Sequence, residues 1–519
     1  MSKSGRNFQT QFESVTDYLT DKLSYAAAPV LQVTLIALVL ALILLQNLQV
    51  DPDLFARVAV GRLVEIYGGV VTRDPFSYLQ TVDVWYDHEW LAGVFFYHIA
   101  AAWGDYGLFI FKLALAWITI FFLIRSAELY TDFRPSAYLL PAVGVFGYAS
   151  VWGTTVRARV FTYLFLALLI YGAALFKKKR DTRLLCLLPP TMFLWANCHG
   201  GFVVGLFFIG VFAVADLIEN HSRAWPLFAA LAACTAATFI NPYGLGYTLY
   251  IFQAVGMNRI DIPEWRPPAL LSLEMIVPLT FAAISAYSLI RRRISLEGTI
   301  LVLVTGYQAF SHARLVPLFM FTVIVFGASG AQTLLKEIWT RKPRLRIVFV
   351  RAFSASVFAL LLCALIRVCL DLSRPDSFSL DYRDYPVNAL EWLRNERSGG
   401  NVLVDFNIGS YALWRLYPLY KISVDGRYEE VYSADTVRSA MELLDPNTPK
   451  LAERIAHSPA DFILLKTNSE MHRRRDLYGS DWVVSHQDEN FSILEKRDTE
   501  TSPVPGRELP VPEIWRPLF

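Results

Sequence analysis

The chain has 519 residues, of which 54% are hydrophobic, and its mean hydropathy is +0.37. These values exclude an ordinary soluble domain, because the repeated apolar runs approach the roughly 20 residues that a membrane-spanning helix needs. The formal net charge of +2 indicates no class of partner. We therefore expect contact with a lipid bilayer and none with nucleic acid.

The first predicted elements are a polar stretch, residues 1–27, and an apolar run of spanning length. This order predicts an uncleaved signal anchor with residues 1–27 as a cytoplasmic tail. Residues 28–370 are predicted to form an α-helical polytopic membrane domain of about eleven spans. The predicted spans lie at about 28–47, 107–124, 137–152, 160–176, 184–198, 202–218, 225–240, 277–290, 297–311, 315–333 and 347–370.

The positive charges predict the orientation of these spans. With residues 1–27 in the cytoplasm, the inner connections hold more than twice as many Lys and Arg residues as the outer ones, as the positive-inside rule requires. This holds only if the apolar stretch Trp90–Trp103 is an interfacial or re-entrant helix, since counting it as a span would place the cluster Lys177–Arg180 outside. The larger connections at 48–106 and 241–276 are then outer loops.

The C-terminal part is predicted to be a small α/β soluble domain over residues 371–500, on the outer side, with a Pro-rich tail at 501–519. Its predicted helices are Val387–Glu396, 434–444 and 448–456, and its predicted strands are Asn401–Asp405, Lys421–Val424, Asp461–Lys466 and Phe491–Glu495. The five cysteines have no zinc-ligand spacing, and we interpret them as small core residues.

Two carboxylates follow the first predicted span directly. Asp51 and Asp53 have the chemistry of a general base with a partner that orients it or helps to hold a metal ion. The alternative is a solvated loop start, where Asp and Pro are common. Arg57, Arg62 and Glu65 follow at helical spacing, which predicts an interfacial helix.

A second polar group, Asp87, His88 and Glu89, ends the same outer loop. It is able to supply a second carboxylate pair that faces the first. Helix-start chemistry explains the group equally well, with an N-cap followed by an acid in the first turn. His88 and His199 lack the His-x-x-x-His spacing of a helical metal site.

Three arginines lie at predicted outer span ends, namely Arg157, Arg159 and Arg314. A guanidinium at a membrane face suits a phosphate group. The alternative is snorkelling of the side chain to the interface. Charged groups near membrane depth are costly, and that cost favours a functional interpretation.

Asn197 and His199 lie at a tight reversal between two predicted spans. The glycines at 200–201 explain the reversal, but they do not explain the amide and the imidazole beside it. Aromatic residues in the stretches 241–244 and 264–268 fit either a sugar platform or an interfacial belt.

Several short motifs resemble those of a known superfamily. Residues 51–57 (DPDLFAR), 68–69 (GG) and 73–78 (RDPFSY) are similar to the first outer loop of oligosaccharyltransferase catalytic subunits and their bacterial relatives. In the soluble domain, 402–411 (VLVDFNIGSY) and 424–427 (VDGR) resemble the segment after the last span of those subunits, as does 389–393 (ALEWL). With its outer acids and arginines, the chain looks like a GT-C membrane glycosyltransferase. The resemblance covers most of the chain at the level of architecture.

The chain departs from the oligosaccharyltransferases at one signature. They carry Trp-Trp-Asp where this chain has Asp405-Phe406-Asn407. The departure argues against recognition of an Asn-x-Ser/Thr sequon. The chain is more similar to the broad bacterial group called glycosyltransferase family 39-like, whose acceptors vary.

The resemblance implies a transfer reaction from a polyprenyl-phosphate-linked sugar to a glycan, lipid or protein acceptor at the periplasmic face of a bacterial inner membrane. It implies that Asp53, or alternatively Asp51, is the general base, and that other groups bind the leaving phosphate and orient the acceptor. The phosphate-binding residues would be Arg157, Arg159, Arg314 and His199, and the acceptor-orienting residues Asp87, His88, Glu89 and Asn197. A divalent cation, Mg²⁺ or Mn²⁺, would be held by Asp51, Asp53 and Glu89 if the enzyme uses one.

Two alternatives from other classes remain open at this stage. A transporter or flippase of lipid-linked glycans would place charged residues near mid-span, at broken helices. In this chain the polar motifs lie at span ends, which favours the enzyme. A non-catalytic subunit of a glycan-assembly complex would not need Asp51 and Asp53.

Overall fold

The computed structural model describes residues 50–131, 156–220, 224–256, 265–271, 275–342 and 382–497, with scattered residues between 355 and 370. Within these ranges a helical part precedes a small α/β part, as the sequence predicts. The helices of the first part are α1 (Pro52–Tyr67), α2 (Trp90–Ala127), α3 (Arg159–Lys179), α4 (Leu188–Cys198), α5 (Phe202–Asn220), α6 (Trp225–Thr238), α7 (Leu245–Gly256), α8 (Ile276–Ile290), α9 (Leu296–Ser311), α10 (Val316–Phe326) and α11 (Ala328–Arg341).

Fewer helices are long enough to cross a membrane than the sequence predicts. Among the described residues, α2, α3 and α5 have the length and apolar composition of a span, and residues 313–326 with 328–341 give a fourth if this pair, bent by 62°, forms one span. Helices α6 and α8 are apolar but shorter. The predicted spans at 28–47 and 137–152 lie outside the described residues, as does nearly all of 347–370. The count of about eleven is therefore not confirmed.

The acidic motifs of the outer loop lie at the starts of helices α1 and α2. The carboxylate of Asp51 caps α1 by accepting a hydrogen bond from the Asp53 amide, and Gly68, in the left-handed region at φ 66°, ends the helix. Helix α2 is kinked at Gly104, where φ is 63°. The kink directly follows the stretch Trp90–Trp103, which the sequence predicts not to span.

The α/β part contains a five-stranded mixed sheet. Its strands are β1 (Gly400–Leu403), β2 (Tyr420–Ile422), β3 (Phe462–Lys466), β4 (Trp482–Gln487) and β5 (Phe491–Lys496), and its helices are α12 (Val387–Glu396), α13 (Phe406–Leu416), α14 (Ala434–Glu442), α15 (Leu451–Ala456) and α16 (Glu470–Arg473). The strand order is β2-β1-β3-β5-β4, with β1 parallel to β2 and β3, and β5 antiparallel to β3 and β4. All four predicted strands are present, whereas β4, α13 and α16 are additional elements.

The outer loop between α1 and α2 is joined to this sheet. Ser77 forms a parallel bridge with Ile422, the last residue of edge strand β2. The Tyr78 amide donates to the Ile422 carbonyl at 3.1 Å, and the Ile422 amide donates to the Phe76 carbonyl at 2.9 Å. The edge of the sheet is thereby covered, and the loop is placed between the membrane helices and the α/β part.

The cysteine interpretation needs a correction. Cys198 and Cys234 are buried, as expected of small core residues. Cys186, Cys363 and Cys369 are exposed. Cys186 lies in a short 3₁₀ helix, Thr182–Leu187, and an apolar sequence pattern does not distinguish an exposed position of a helix from a packed one.

Candidate functional site

The two aspartates after the predicted first span meet an arginine from a distant connection. Arg157 Nε lies 2.8 Å from Asp51 Oδ2, and the same guanidinium also forms an ion pair with Asp53. Two of the predicted outer motifs therefore come together in space. A single cationic fork bridges both carboxylates, as guanidinium geometry favours.

Asp51 and Asp53 differ in their surroundings. Asp51 is buried, and its burial together with the neighbouring Asp53 charge raises its pKa from 3.8 to about 7, against the opposing effect of Arg157. The Asp53 side chain is 36% exposed. The α/β part approaches Asp53 closely, because a Cβ atom added at Gly426 would lie 2.6 Å from Asp53 Oδ1.

A buried arginine organises the second group of acids. Arg57 points from α1 to three carboxylates: Nη1 lies 2.7 Å from Asp87 Oδ1, Nε 2.6 Å from Glu89 Oε2, and Nη2 2.6 Å from Glu430 Oε1. Asp87 and Glu89 end the outer loop, whereas Glu430 belongs to a short 3₁₀ helix, Tyr428–Glu430, of the α/β part. Both parts of the molecule thus contribute to one polar cluster.

Two histidines border this cluster. His88 Nε2 and His199 Nε2 each lie 3.5 Å from Glu89 Oε1. The Gly201 amide donates to His199 Nδ1 at 2.9 Å, so Nδ1 is the unprotonated nitrogen and Nε2 carries the hydrogen that faces Glu89. The reversal at 199–201 thereby fixes the tautomer of His199.

Burial and charge set the protonation of these groups. Burial raises the pKa of Glu89, but the charges of Arg57 and His88 outweigh it and hold this pKa at about 2. Burial lowers the pKa of His199 from 6.5 to about 3. At neutral pH, Glu89 is therefore charged and His199 is neutral.

The remaining predicted phosphate-binding residues lie near the same site. The charge of Arg159 acts on both Asp51 and His199, and the charge of Arg314 acts on Glu89 and His199. The Arg314 guanidinium lies over the Trp265 ring, 5.3 Å from its centroid. The predicted phosphate-binding side chains therefore lie near the aspartate pair and the cluster around Arg57.

Asn197 has a structural role in this arrangement. Its amide nitrogen donates to the carbonyls of Phe193 and Ile240, and its oxygen accepts a hydrogen bond from Trp90 Nε1 at 3.1 Å. The side chain is buried. These bonds anchor the start of α2, and the acceptor-orienting role of Asn197 stays a prediction.

Sequence reasoning missed three residues of the site. Arg57 was predicted only as part of an interfacial helix, whereas it organises the second group of acids. Glu430 is 373 positions from Arg57 and lies in a part of the chain assigned to another domain. Lys112 is buried within α2 and interacts electrostatically with Asp51. A signal for Lys112 was available, because a lysine inside a predicted span is costly unless it serves a function.

The predicted metal-ligand set Asp51, Asp53 and Glu89 does not assemble. Arg157 already bridges the aspartate pair, and Glu89 belongs to the cluster around Arg57. Over the described ranges, the group of acidic and histidine side chains that converges is Asp87, His88 and Glu430, whose ligand atoms lie within 4.8 Å of one another.

Solved structures share this fold. The oligosaccharyltransferase of Archaeoglobus fulgidus in its apo form matches with a TM-score of 0.56 and 11% identity, over 87% of this chain and 71% of that one. Its complex with zinc and sulfate matches with a TM-score of 0.50 and 12% identity, over 86% and 70%. No protein-family model and no curated protein matches the sequence. The predicted oligosaccharyltransferase-like GT-C architecture is confirmed as a likeness of fold.

Proposed function

We propose, on the premise of this shared fold, that the chain is a membrane glycosyltransferase that moves a sugar from a polyprenyl-phosphate-type donor to a hydroxyl of a glycan, lipid or protein acceptor. The observation that carries the proposal is the convergence of Asp53, Arg157 and the Arg57 cluster at one end of the helices, beside the α/β part. A half-exposed carboxylate next to several cationic groups suits a base beside a phosphate site.

Asp53 is the base in this proposal. It takes the proton of the acceptor as the acceptor atom bonds to the anomeric carbon of the sugar, and the bond from that carbon to the phosphate oxygen breaks with its electron pair going to the phosphate. Asp53 is preferred over Asp51 because its side chain is 36% exposed, whereas Asp51 is buried and caps α1. Asp51 then positions Arg157.

The arginines stabilise the leaving phosphate. Arg157 keeps 25% of its side chain exposed, and the charges of Arg159 and Arg314 act on the same site. Cations placed in advance where negative charge develops are the largest electrostatic contribution in such a reaction. His199 donates its Nε2 hydrogen towards this region, and Asp87, His88 and Glu89 orient the acceptor.

The positive-inside bias supports an active face on the periplasmic side of a bacterial inner membrane. Nucleotide sugars are absent there, and a lipid-carried donor meets that requirement. The sequence Asp405-Phe406-Asn407 in place of Trp-Trp-Asp argues against a sequon, and Asp405 instead caps α13.

The test compares surface glycans and glycolipids by mass spectrometry in a deletion strain complemented with wild type, Asp53→Asn or Asp83→Asn at equal protein level. Asp83 is an exposed acid of the same outer loop and serves as the matched control. We expect the deletion and Asp53→Asn strains to lose one sugar and to accumulate its polyprenyl-linked donor, whereas Asp83→Asn restores the profile. Removing a catalytic base costs about 10²–10⁴-fold in rate.

Full restoration by Asp53→Asn would exclude Asp53 as the base. If Asp51→Asn also restored the profile, the chain would instead be a non-catalytic subunit of a glycan-assembly complex. If the donor instead accumulated only on the cytoplasmic leaflet, the chain would be a flippase.

A further inference from the structure

We propose that the helical part carries, at the end opposite Arg314, a surface that binds the phosphate head groups of anionic phospholipids. This basic surface is formed by the turn after α8 and by the second half of α11 and the residue after it. Its residues are Arg291, Arg292, Arg293, Lys336, Arg341 and Lys342. Lipid binding there does not depend on the transfer reaction proposed above.

The basic surface lies one helix length away from Arg314. Helix α9 begins three residues after Arg293 and ends shortly before Arg314, and its 16 residues span roughly 24 Å. Helix α10 runs back beside α9, because a Cβ atom added at Gly298 of α9 would lie 2.8 Å from the Cβ atom of Phe326, the last residue of α10. The positive-inside bias predicts that this end faces the cytoplasmic leaflet.

Helix α11 packs against the end of α8 and is turned out of the direction of α10. The bend between the two segments 313–326 and 328–341 is 62°. A Cβ atom added at Gly330 would lie 1.7 Å from Ser288 Oγ, so the first turn of α11 is close to α8. Two turns later, Glu337 forms an ion pair with Arg291. These two contacts place the second half of α11 beside the arginines that follow α8.

Helix α11 has the pattern of a helix that lies along a membrane interface. Lys336 and Arg341 are exposed, and at helical spacing they flank the apolar side of the helix on its two edges. Ile338, on that side, is 39% exposed. The apolar side chains that share this side are Leu334, Leu335, Ile338 and Trp339. Such a helix buries its apolar side at the acyl boundary and directs its cations towards the head groups.

The turn after α8 holds an arginine where the backbone favours glycine. Arg292 lies in the left-handed region, with φ 50°. The Arg292 amide donates to the Leu289 carbonyl at 3.0 Å and the Arg293 amide to the Ser288 carbonyl at 2.9 Å, which are bonds that end a helix. A residue with a side chain is less stable than glycine in this conformation. An arginine at such a position indicates that its charge has a use.

The basic surface has an excess of positive charge. The segments 291–295 and 328–342 hold six basic residues and one acid, Glu337. All six basic residues are exposed, and Arg291 keeps 50% of its side chain exposed although it pairs with Glu337. Guanidinium groups bind phosphate oxygens, and clusters of roughly four to eight basic residues beside a spanning helix attract anionic lipids. An anionic phospholipid fits both this charge and the exposed apolar side of α11.

The experiment measures lipid binding to the purified full chain by native mass spectrometry. The protein, in a non-ionic detergent, is titrated separately with phosphatidylglycerol and phosphatidylcholine, and inorganic phosphate is added as a competitor. We expect phosphatidylglycerol to bind at least about tenfold more tightly than phosphatidylcholine, since each basic residue near an anionic surface contributes roughly fivefold to the association constant. Inorganic phosphate at equal concentration should not displace the lipid, because it lacks acyl chains.

Two triple variants compare this surface with other exposed arginines. Arg291→Gln, Arg292→Gln and Arg293→Gln combined should weaken phosphatidylglycerol binding at least about tenfold. The matched control replaces the three consecutive exposed arginines at 473–475 of the α/β part by Gln. This control should bind phosphatidylglycerol as wild type does.

Glu337→Gln separates binding by charge from a structural effect. It breaks the ion pair with Arg291, as the first triple variant also does, but it makes the basic surface more positive. Binding by charge predicts that phosphatidylglycerol binds as tightly as to wild type or up to roughly fivefold more tightly. A surface that needs the ion pair to hold α11 predicts weaker binding instead. This variant keeps the test valid if the triple variant does not fold.

Four results would overturn the proposal. The first is equal affinity for phosphatidylglycerol and phosphatidylcholine. The second is that the two triple variants bind phosphatidylglycerol alike. The third is displacement of the lipid by an equal concentration of inorganic phosphate, which would assign the arginines to a free anion. The fourth is weaker binding by Glu337→Gln. None of these results bears on whether sugar transfer occurs.

Discussion

Asp51 and Asp53 are two positions apart, yet they differ in the free-energy cost of carrying a charge. Asp51 is buried at the helix start, where desolvation opposes ionisation, whereas Asp53 reaches solvent. A shared arginine, Arg157, contacts both. Environment, rather than residue type, separates a structural carboxylate from one that is able to exchange a proton with substrate.

Asp51 predicts a pH dependence of stability. Its pKa is about 7 in the folded protein and 3.8 without the fold, so folding takes up a proton between these values. The contribution of Asp51 to stability is therefore full below pH 3.8 and is lost as the pH rises through about 7. Asp51→Asn cannot ionise, so we expect its free energy of unfolding relative to wild type to rise across this window, by at most about 1.4 kcal/mol per pH unit.

Thermal unfolding of detergent-solubilised protein at a series of pH values checks this prediction, with Asp83→Asn as the control. Parallel curves for Asp51→Asn and wild type would show that Asp51 ionises normally in the folded state.

At the residue scale, the sequence predicted well which side chains lie near one another but poorly how they pair. Asp53 and Arg157 were both predicted to lie in outer connections, and they form an ion pair. The partner that Arg57 has in the α/β part, Glu430, was missed, because it lies 373 positions away and only the fold brings it close. Local spacing carries no information on such a contact.

Two glycines determine how closely α1 and α2 cross. A Cβ atom at Gly61 would lie 2.1 Å from the Gly93 carbonyl oxygen, and one at Gly93 would lie 2.6 Å from the Arg57 carbonyl oxygen. Backbone therefore packs against backbone at this crossing. The close approach sets the distance from Arg57 to the acids at the start of α2.

Gly61→Ala tests this crossing. Alanine normally favours a helix, but here its methyl group would push the two helices apart and cost about 1–3 kcal/mol. Gly210→Ala, inside α5, is the matched control, because its nearest neighbouring atom is 3.9 Å away. Thermal unfolding should show a loss for the first variant and no loss for the second; equal behaviour would mean that the crossing tolerates a methyl group.

The elements of the α/β part show what sequence patterns reveal and what they hide. Helix α12, Val387–Glu396, has the predicted bounds, and β3, Phe462–Lys466, lies within the predicted strand Asp461–Lys466. Strand β4, Trp482–Gln487, was missed because its polar residues lie at an edge with a mixed burial pattern. Helix α13 was missed because residues 405–411 were interpreted through a family motif, although Asp405 is an ordinary N-cap.

At the scale of the whole molecule, two buried arginines connect the outer loop with the α/β part in opposite directions. Arg57 reaches from α1 to Glu430, and Arg427 reaches back to Asp74 of the loop at 2.6 Å. Arg427 also pairs with Asp425 at 2.7 Å and lies 4.9 Å from the centroids of the Phe76 and Trp85 rings. The interface is therefore held by buried charges as well as by apolar packing.

Arg427→Met tests this interface. The change removes the cation between two fully buried carboxylates, so we expect a loss of about 3–5 kcal/mol and faster hydrogen exchange in both the loop and the α/β part. Arg438→Met, at an exposed ion pair, should change stability by at most about 0.5 kcal/mol. Normal exchange in Arg427→Met would show that the two parts hold together without this charge.

The chain order of Arg57 and Glu430 also has a consequence for synthesis. At about 5–20 residues per second, the ribosome needs roughly 20–75 s to make the 373 residues that separate them. During that interval the outer loop has been made, but its pairing strand β2 and the partner of Arg57, Glu430, have not. A chain that stops before residue 382 lacks Glu430 and strand β2, so neither Arg57 nor the backbone of the loop has these partners.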